Sequence, residues 1–167
     1  MQLVIVAGGN DSLYHELQDT DWHATTYLYN FVDDLPRLMR ASDCIPCKAG
    51  GLIVTQALAS GLPLLMIDVL PGQEMGNAEY IVEHGAGEEA ADSISVLETV
   101  YHWLDQDGAL LAEYAENARS LGHPRAASEI AELVWTAQAS GPVSPDEADS
   151  GRAQLAELLD RYSVPWR

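Results

Sequence analysis

Positive charge is scarce in this sequence. Its 167 residues include 26 acidic but only 8 basic side chains, which gives a formal net charge of −18. Such a charge repels polyanions, so DNA, RNA and anionic lipid surfaces are excluded as partners of this chain. Lys48 is the only lysine. A single lysine in an acidic chain directs attention to the residues around it.

Cysteine and long apolar runs are scarce as well. Cys44 and Cys47 cannot build a disulfide framework, and both fall in a predicted strand, where residues three apart point to opposite faces. A redox pair is therefore disfavoured. The apolar run over 62–70 is broken by Pro63 and Asp68, so we expect no insertion into a membrane. Because no basic, apolar leader is visible, we expect a cytoplasmic protein, peripheral to the cytoplasmic membrane only through a partner domain.

Short apolar strands alternate with helices over the first half of the chain. We predict strands over Leu3–Ala7, Thr25–Val32, the segment around Cys44–Cys47, and Pro63–Asp68. The first of these is apolar throughout, which is typical of a strand buried on both faces. Alternation at this spacing predicts an α/β fold with a Rossmann-like parallel sheet and flanking helices.

The pattern from Asp92 onward is helical. We assign the apolar stripes of these helices to the core. Their residues are Ile94, Leu97, Val100, Tyr101 and Leu104, then Leu110, Tyr114, Ala118 and Leu121, and in a third helix Ile130, Leu133, Val134 and Ala137. Composition then predicts three regions: a globular domain over 1–139, a flexible acidic linker over 140–151 and an amphipathic tail helix over 152–167.

The segment Lys48–Gly51 reads K-A-G-G and lies between a predicted strand and a predicted helix. A glycine turn at this place presents free N–H groups and the positive end of the helix, and Lys48 adds a full charge. A phosphate-bearing ligand explains this local reversal of charge. The alternative is an ordinary turn that tolerates two glycines. In a parallel sheet the loops over 8–10, 31–33, 48–51 and 71–77 would gather at one edge.

Two longer motifs carry a resemblance. K-A-G-G-L-I-V-T-Q-A-L-A-S-G-L-P, followed by P-G-Q-E-M-G-N-A, resembles the nucleotide-sugar half of family 28 glycosyltransferases of the GT-B fold. Within that family the likeness is strongest to the monogalactosyl- and glucosyldiacylglycerol synthases, and more distant to the lipid II N-acetylglucosaminyltransferase. It runs from about Leu3 to Trp135. The resemblance implies a UDP-sugar donor, a lipid acceptor, and neither a metal nor another cofactor.

The resemblance also implies site residues. Those that would contact UDP are Phe31, Val32, Lys48, Ala49, Gly50, Gly51 and Gln56. Phe31–Val32 would receive the uracil, Lys48–Gly51 the diphosphate and Gln56 the ribose. The residues that would contact the sugar are Gln73, Glu74 and Asn77, of which Asn77 would lie near the phosphates or brace the loop. Gln56 stands where the family usually has a glutamate, and an amide cannot accept two charge-assisted bonds.

Part of the family's pattern is missing. Leu3–Ala7 corresponds to the second strand of the family's donor domain, so we expect a fragment, a split gene or a degenerate copy. The lipid acceptor and the catalytic base would come from an N-terminal domain or a separate chain. Asp68 and His84 are the nearest candidate bases here, and ordinary structural roles suit both better. We expect the isolated chain to be inactive and to self-associate.

Three functions remain open. The first is the donor-binding part of a glycosyltransferase that moves a hexose to a lipid acceptor. The second is a non-catalytic module that binds a nucleotide sugar or docks on a partner. The third is a fragment of a nucleotide-sugar epimerase.

Overall fold

The structure, a computed structural model, describes residues 1–137. Five strands are present in this part of the chain: β1 (Gln2–Val6), β2 (Thr25–Tyr29), β3 (Ile45–Cys47), β4 (Leu64–Ile67) and β5 (Gly87–Ala90). Its seven α-helices are α1 (Asp11–Gln18), α2 (Leu35–Arg40), α3 (Gly51–Ala59), α4 (Met75–Glu83), α5 (Ser93–Leu104), α6 (Ala109–Leu121) and α7 (Ala126–Thr136).

Met1–Pro124 form one compact unit, and a second unit begins at Arg125 and includes α7. The predicted linker over 140–151 and tail helix over 152–167 lie outside the described residues. The predicted limits of the three regions therefore stay predictions.

Every strand pairing is parallel, as the alternation of strands and helices predicts. Within the described residues the strands form two sheets: β1 pairs with β2, and β3, β4 and β5 form a separate sheet in that order. Pro46 gives a physical reason on one side of the break. The Ile45 N–H donates to the Pro63 carbonyl on the β4 side, so the backbone of Pro46 faces the opposite edge. Proline has no N–H to donate there.

The sequence analysis missed β5. Its residues G-E-E-A have low strand propensity, but their place next to β4 depends on a close approach of two backbones. In the register of these strands Gly87 lies opposite Leu64. A β-carbon at Gly87 would lie 1.9 Å from the Leu64 carbonyl oxygen, so only glycine fits. Close backbone approach is a known reason for glycine within a strand.

The core lies on both faces of β4. Leu64 and Met66 belong to a cluster with residues of α3 and α4, among them Ala57 and Ile81. Leu65 points to the opposite face, where it packs in a second cluster with Trp103 of α5. The N-terminal part of α6 contacts the second cluster and its C-terminal part the first, so the predicted stripe of α6 is confirmed.

Three predictions of burial are wrong. β1 is not buried on both faces, since Val4 is 41% exposed and no residue of this strand is fully buried. On α7, the predicted core residues Ile130, Leu133 and Val134 are between 59% and 71% exposed. Four of the five residues assigned to the core on α5 lie on its outer face instead: Ile94, Leu97, Tyr101 and Leu104 are between 53% and 76% exposed. Only Val100 of that stripe packs against the core. The inner face of α5 is Val96, Val100 and Trp103.

Candidate functional site

The Lys48–Gly51 turn joins β3 to α3, as the sequence predicts. Ala49 is fully buried and Gly50 is the N-cap of α3, with no side chain capping that end of the helix. The first helical hydrogen bond runs from the Val54 N–H to the Gly50 carbonyl. The N–H groups of residues 51–53 therefore precede the helical ladder and are directed out of the helix end. Together with the helix dipole they form an arrangement that suits an anion.

The 71–77 loop packs directly against this turn. The Asn77 side chain donates from Nδ2 to the Ala49 carbonyl, at 2.7 Å. Glu74 is the N-cap of α4, and its Oε2 accepts a hydrogen bond from the Leu70 N–H at 3.0 Å. Its other carboxylate oxygen, Oε1, would lie 3.6 Å from a β-carbon at Gly50. A β-carbon at Gly50 would therefore be in ordinary van der Waals contact with the Glu74 carboxylate.

These contacts bear on the roles that the resemblance implies. The Asn77 amide braces the turn, which is one of its two expected roles. Glu74 stabilises its own loop with one carboxylate oxygen and presents the other to the turn. Gln73 precedes it and is exposed. Gln56 lies in the second turn of α3 and is half-buried.

Lys48 lies at the carboxyl end of β3, and Asp68 follows the neighbouring strand β4 directly. The Lys48 Nζ is 2.6 Å from Asp68 Oδ2. The hydrogen bond to Asp68 and the charge of that carboxylate raise the pKa of Lys48, and the more distant Glu74 adds to this. From the sequence we expected a structural role for Asp68 rather than that of a base, but this contact with Lys48 was not predicted. Its position, one strand along at the same edge of the sheet, was the available signal.

The predicted uracil turn belongs to the two-stranded sheet. Phe31 is 66% exposed and Val32 is half-buried, and β2 ends at Tyr29 rather than at Val32. The neighbouring Asn30 carbonyl accepts from the Gly9 N–H, so the 8–10 and 31–33 loops do meet. Among residues 1–137, however, no hydrogen bond or ion pair joins these two loops to the Lys48–Gly51 turn. The 8–10 and 31–33 loops thus form one pair, and the 48–51 and 71–77 loops form another.

The cysteines lie on opposite faces of the sheet, as predicted. Cys47 packs against the cluster on the α3 side and Cys44 against the cluster around Trp103. Burial, and then the charge of Glu74, raise the pKa of the Cys47 thiol to about 11. Burial raises the pKa of Cys44 as well. Both thiols are therefore protonated at neutral pH and poor nucleophiles.

His84 has a structural role. It caps the C-terminus of α4, and its ring Nδ1 lies 2.8 Å from the Tyr80 carbonyl. Neither a metal cluster of three or more suitable side chains nor a helix long and apolar enough to cross a membrane occurs in the described part of the chain. The expectation that no metal or cofactor takes part stays a prediction.

Solved structures share this fold. MurG of Acinetobacter baumannii superimposes with a TM-score of 0.60 at 20% identity, over 81% of this chain and 52% of that protein. The glycosyltransferase VinC, solved in complex with dTDP, gives a TM-score of 0.56 at 16% identity, over 80% of this chain and 41% of the other. The fold is thus that of one half of a GT-B glycosyltransferase.

Sequence comparison gives the family. Residues 1–130 match the family model described as the glycosyltransferase family 28 C-terminal domain, and the chain belongs to that family. A probable chloroplastic monogalactosyldiacylglycerol synthase 3 of Oryza sativa subsp. japonica is 35% identical over 77% of this chain and 25% of its own length. Monogalactosyldiacylglycerol synthase 2 of Arabidopsis thaliana, also named chloroplastic, is 33% identical over 94% of this chain and 31% of its own length. The chain thus spans about a quarter to a third of these relatives.

The relatives correct one expectation. The cytoplasmic location predicted from the start of the sequence is wrong, because the matching plant synthases are named chloroplastic. Residues that direct a protein to a compartment need not lie in the part that these proteins share with this chain.

Proposed function

We propose that this chain is the donor-binding part of a UDP-sugar-dependent glycosyltransferase that transfers a hexose to a lipid acceptor. The observation that supports this most strongly is the packing of two motif loops at the ends of neighbouring strands. Asn77 bonds to Ala49, and Glu74 faces Gly50, so the loop expected to hold the sugar lies against the turn expected to hold the diphosphate.

The chemistry follows from this arrangement. The free N–H groups at the start of α3 and the Lys48 ammonium would bind the diphosphate. Negative charge grows on the diphosphate as the bond to the sugar breaks, and fixed donors stabilise that charge. Gln73 and Glu74 would hold hydroxyl groups of the sugar, and the Phe31–Val32 backbone would pair with uracil. The synthases named above and the dTDP complex of VinC support a nucleotide-sugar donor and a glycolipid product.

The acceptor side belongs to the proposal as well. A GT-B reaction takes place between two domains, where a base must reach the acceptor hydroxyl. In the structure Asp68 pairs with Lys48 and the His84 ring lies against the Tyr80 carbonyl, so structural roles suit both residues better than that of a base. We therefore expect the base and the lipid-binding surface to come from an N-terminal domain or a separate chain, and we expect this chain alone to transfer no sugar.

Calorimetry with UDP, ADP and GDP tests the donor side. We expect weak binding with preference for UDP, and a loss of about tenfold in the variant Lys48→Met, since a charge-assisted bond is removed. Arg40→Met is a matched control, because it removes an exposed positive charge at the end of α2. Equal binding of the three nucleotides, or none at saturating UDP, would contradict the proposal.

A second assay separates enzyme from binding module. The chain is mixed with an N-terminal half taken from a related synthase, with radiolabelled UDP-galactose and with diacylglycerol vesicles. UDP release and labelled glycolipid from the mixture support a transferase. UDP-galactose binding without release supports a non-catalytic module, and conversion of the sugar without acceptor supports an epimerase.

A further inference from the structure

Lys48 does not stand free at its turn. Its ammonium nitrogen is 2.6 Å from an oxygen of the Asp68 carboxylate, so the two groups form a short charge-assisted hydrogen bond. The two residues follow adjacent parallel strands, β3 and β4, so the register of the sheet brings them together. The cation that the proposed function assigns to the diphosphate is therefore already paired with an anion.

The backbone of Asp68 has an unusual conformation. Its φ is +51°, in the left-handed region that few residues other than glycine adopt. Aspartate and asparagine tolerate this region better than most residues do. Asp68 adopts this left-handed conformation directly after β4, at the same position from which its carboxylate contacts Lys48.

Without a ligand, the net charge around the Lys48–Gly51 turn disfavours the binding of an anion. Lys48 brings one positive charge, while Asp68 and Glu74 bring two negative ones, and Glu74 is near enough to act on Lys48. The Lys48 and Asp68 side chains are 52% and 74% exposed, respectively. An ion pair as open to water as this one is weak, so a ligand with more charge than a carboxylate can replace Asp68.

We propose that Asp68 competes with the donor's diphosphate for Lys48, so that nucleotide binding requires Lys48 to exchange the Asp68 carboxylate for phosphate oxygens. Asp68 is then a specificity-determining residue: it weakens every phosphate ligand and disfavours those with little charge. The part of the site that holds the nucleoside is unaffected. This inference rests on the proposed function, because it takes Lys48 as a ligand of the diphosphate.

The variant Asp68→Asn tests the competition. Asparagine has the size of aspartate and tolerates the same φ, but it carries no charge. We expect UDP to bind about two- to fivefold more tightly, which is the range of a weak exposed ion pair, and uridine to bind as in the parent. Asp43→Asn is the matched control: it removes an exposed carboxylate at the other end of β3, and UDP affinity should change much less.

A spectroscopic readout follows from the single lysine. In protein labelled with 15N- and 13C-lysine, every side-chain lysine signal comes from Lys48. UDP should shift this signal in the parent protein, and uridine should not. In Asp68→Asn the signal should be displaced before any UDP is added. Asp68→Gly, which also accepts a left-handed φ, serves as a second variant should Asp68→Asn fold poorly.

The outcomes separate this inference from the proposed function. Tighter UDP binding by Asp68→Asn, with a Lys48 signal that responds to UDP, supports the competition. Unchanged or weaker UDP binding by the folded variant overturns it, since Asp68 would then position Lys48 or have no role, while the proposed function stands. If UDP moves the Lys48 signal in neither protein, the diphosphate role of Lys48 is wrong and both fall.

Discussion

The two sheets of this protein have different surroundings. The strand residues Leu64, Leu65 and Met66 of β4 are all completely buried, whereas neither β1 nor β2 contains a fully buried residue. Both β1 and β4 are nonetheless apolar runs. The difference comes from neighbours, because β4 has a strand at each edge and a core cluster on each face. An apolar run therefore indicates that a strand can be buried. The number of strands and core clusters that pack around it determines how much of its surface is buried.

The predicted nucleotide site is divided in the same way. Phe31 and Val32, assigned to the base, follow the two-stranded sheet, and the residues assigned to the diphosphate and the sugar follow the three-stranded sheet. The second group is joined by hydrogen bonds such as that from Asn77 to Ala49. We therefore expect the three-stranded side to be the rigid part of the site.

The largest expected difference concerns apolar truncation. Leu65→Ala should lower the free energy of unfolding by about 2–5 kcal/mol, because it leaves a cavity beside Trp103. Val4→Ala on β1 should lower it by less than about 1 kcal/mol, because Val4 is already 41% exposed. Urea unfolding of both variants measures the difference. Equal losses would mean that Val4 is covered by a partner in solution, such as a second copy of the chain.

A smaller loss of stability is expected when the hydrogen bonds to the Glu88 side chain of β5 are removed. Glu88 Oε1 accepts hydrogen bonds from Trp103 Nε1 at 2.7 Å and from the Tyr114 hydroxyl at 3.1 Å. Glu88→Ala should cost about 1–3 kcal/mol, because the indole N–H of a buried tryptophan loses its partner. Glu89→Ala, on the exposed neighbour, is the control and should stay within about 0.5 kcal/mol of the parent. If the two variants unfold at the same urea concentration, the Glu88 contact does not stabilise the fold.

Much of the fold could be predicted from the sequence. The start of α3 and the parallel α/β class follow from the glycines of the Lys48–Gly51 turn and from the alternation of strands and helices. β5 could not be predicted, because Gly87 is required by the Leu64 backbone opposite it and not by anything local. The inner face of α5 was misassigned because the apolar residues of that helix cover about half of its circumference, more than the part that meets the core. The side that points inward carries Val96, Val100 and Trp103, of which Trp103 packs edge-on against Tyr114.

In the candidate site, too, contacts that depend on strand pairing could not be predicted from the sequence. The motifs bring Lys48, Glu74 and Asn77 into one neighbourhood, and the structure places them there. The Lys48–Asp68 pair depends on the register of β3 and β4, which the sequence does not specify. The separation of the uracil turn from the other loops depends on the break between the sheets. Spacing along the chain carries no information on that break.

On the three-stranded side, Gln73→Ala should weaken binding of a UDP-sugar by about tenfold and leave UDP itself nearly unchanged. Glu74→Ala should affect both ligands, because its carboxylate also holds the Leu70 N–H and thereby shapes the loop. Gln2→Ala, at an exposed position on the two-stranded sheet, is the control. Calorimetry with UDP and UDP-galactose distinguishes these cases. Loss of UDP binding in Gln73→Ala would show that the residue acts on the loop and not on the sugar.

Gln56→Glu should strengthen UDP binding by about 1–2 kcal/mol if the residue holds the ribose, because a neutral hydrogen bond becomes a charged one. Gln2→Glu adds the same charge on the other sheet and controls for the general field of the protein. The affinity for 2′,3′-dideoxy-UDP should not improve in Gln56→Glu, since that nucleotide lacks the hydroxyl donors. An equal gain for both nucleotides would place the effect elsewhere than at the ribose.

The smallest effect is expected from Asn30, at the end of β2. Its Nδ2 donates to Asp11 Oδ1 at 2.6 Å, whereas its Oδ1 is buried with no partner among the described residues. Asn30→Ala removes a favourable bond to an exposed carboxylate and an unpaired acceptor together, and these two terms oppose each other. We expect the free energy of unfolding to stay within about 0.5 kcal/mol of the parent. Asn77→Ala should cost about 0.5–1.5 kcal/mol, because its amide joins α4 to the β3–α3 turn. Urea unfolding of the two variants thus compares one asparagine from each sheet. A loss above about 1 kcal/mol in Asn30→Ala would show that Asn30 Oδ1 has a hydrogen-bond partner. The asparagine of the two-stranded sheet would then contribute as much to stability as Asn77 does.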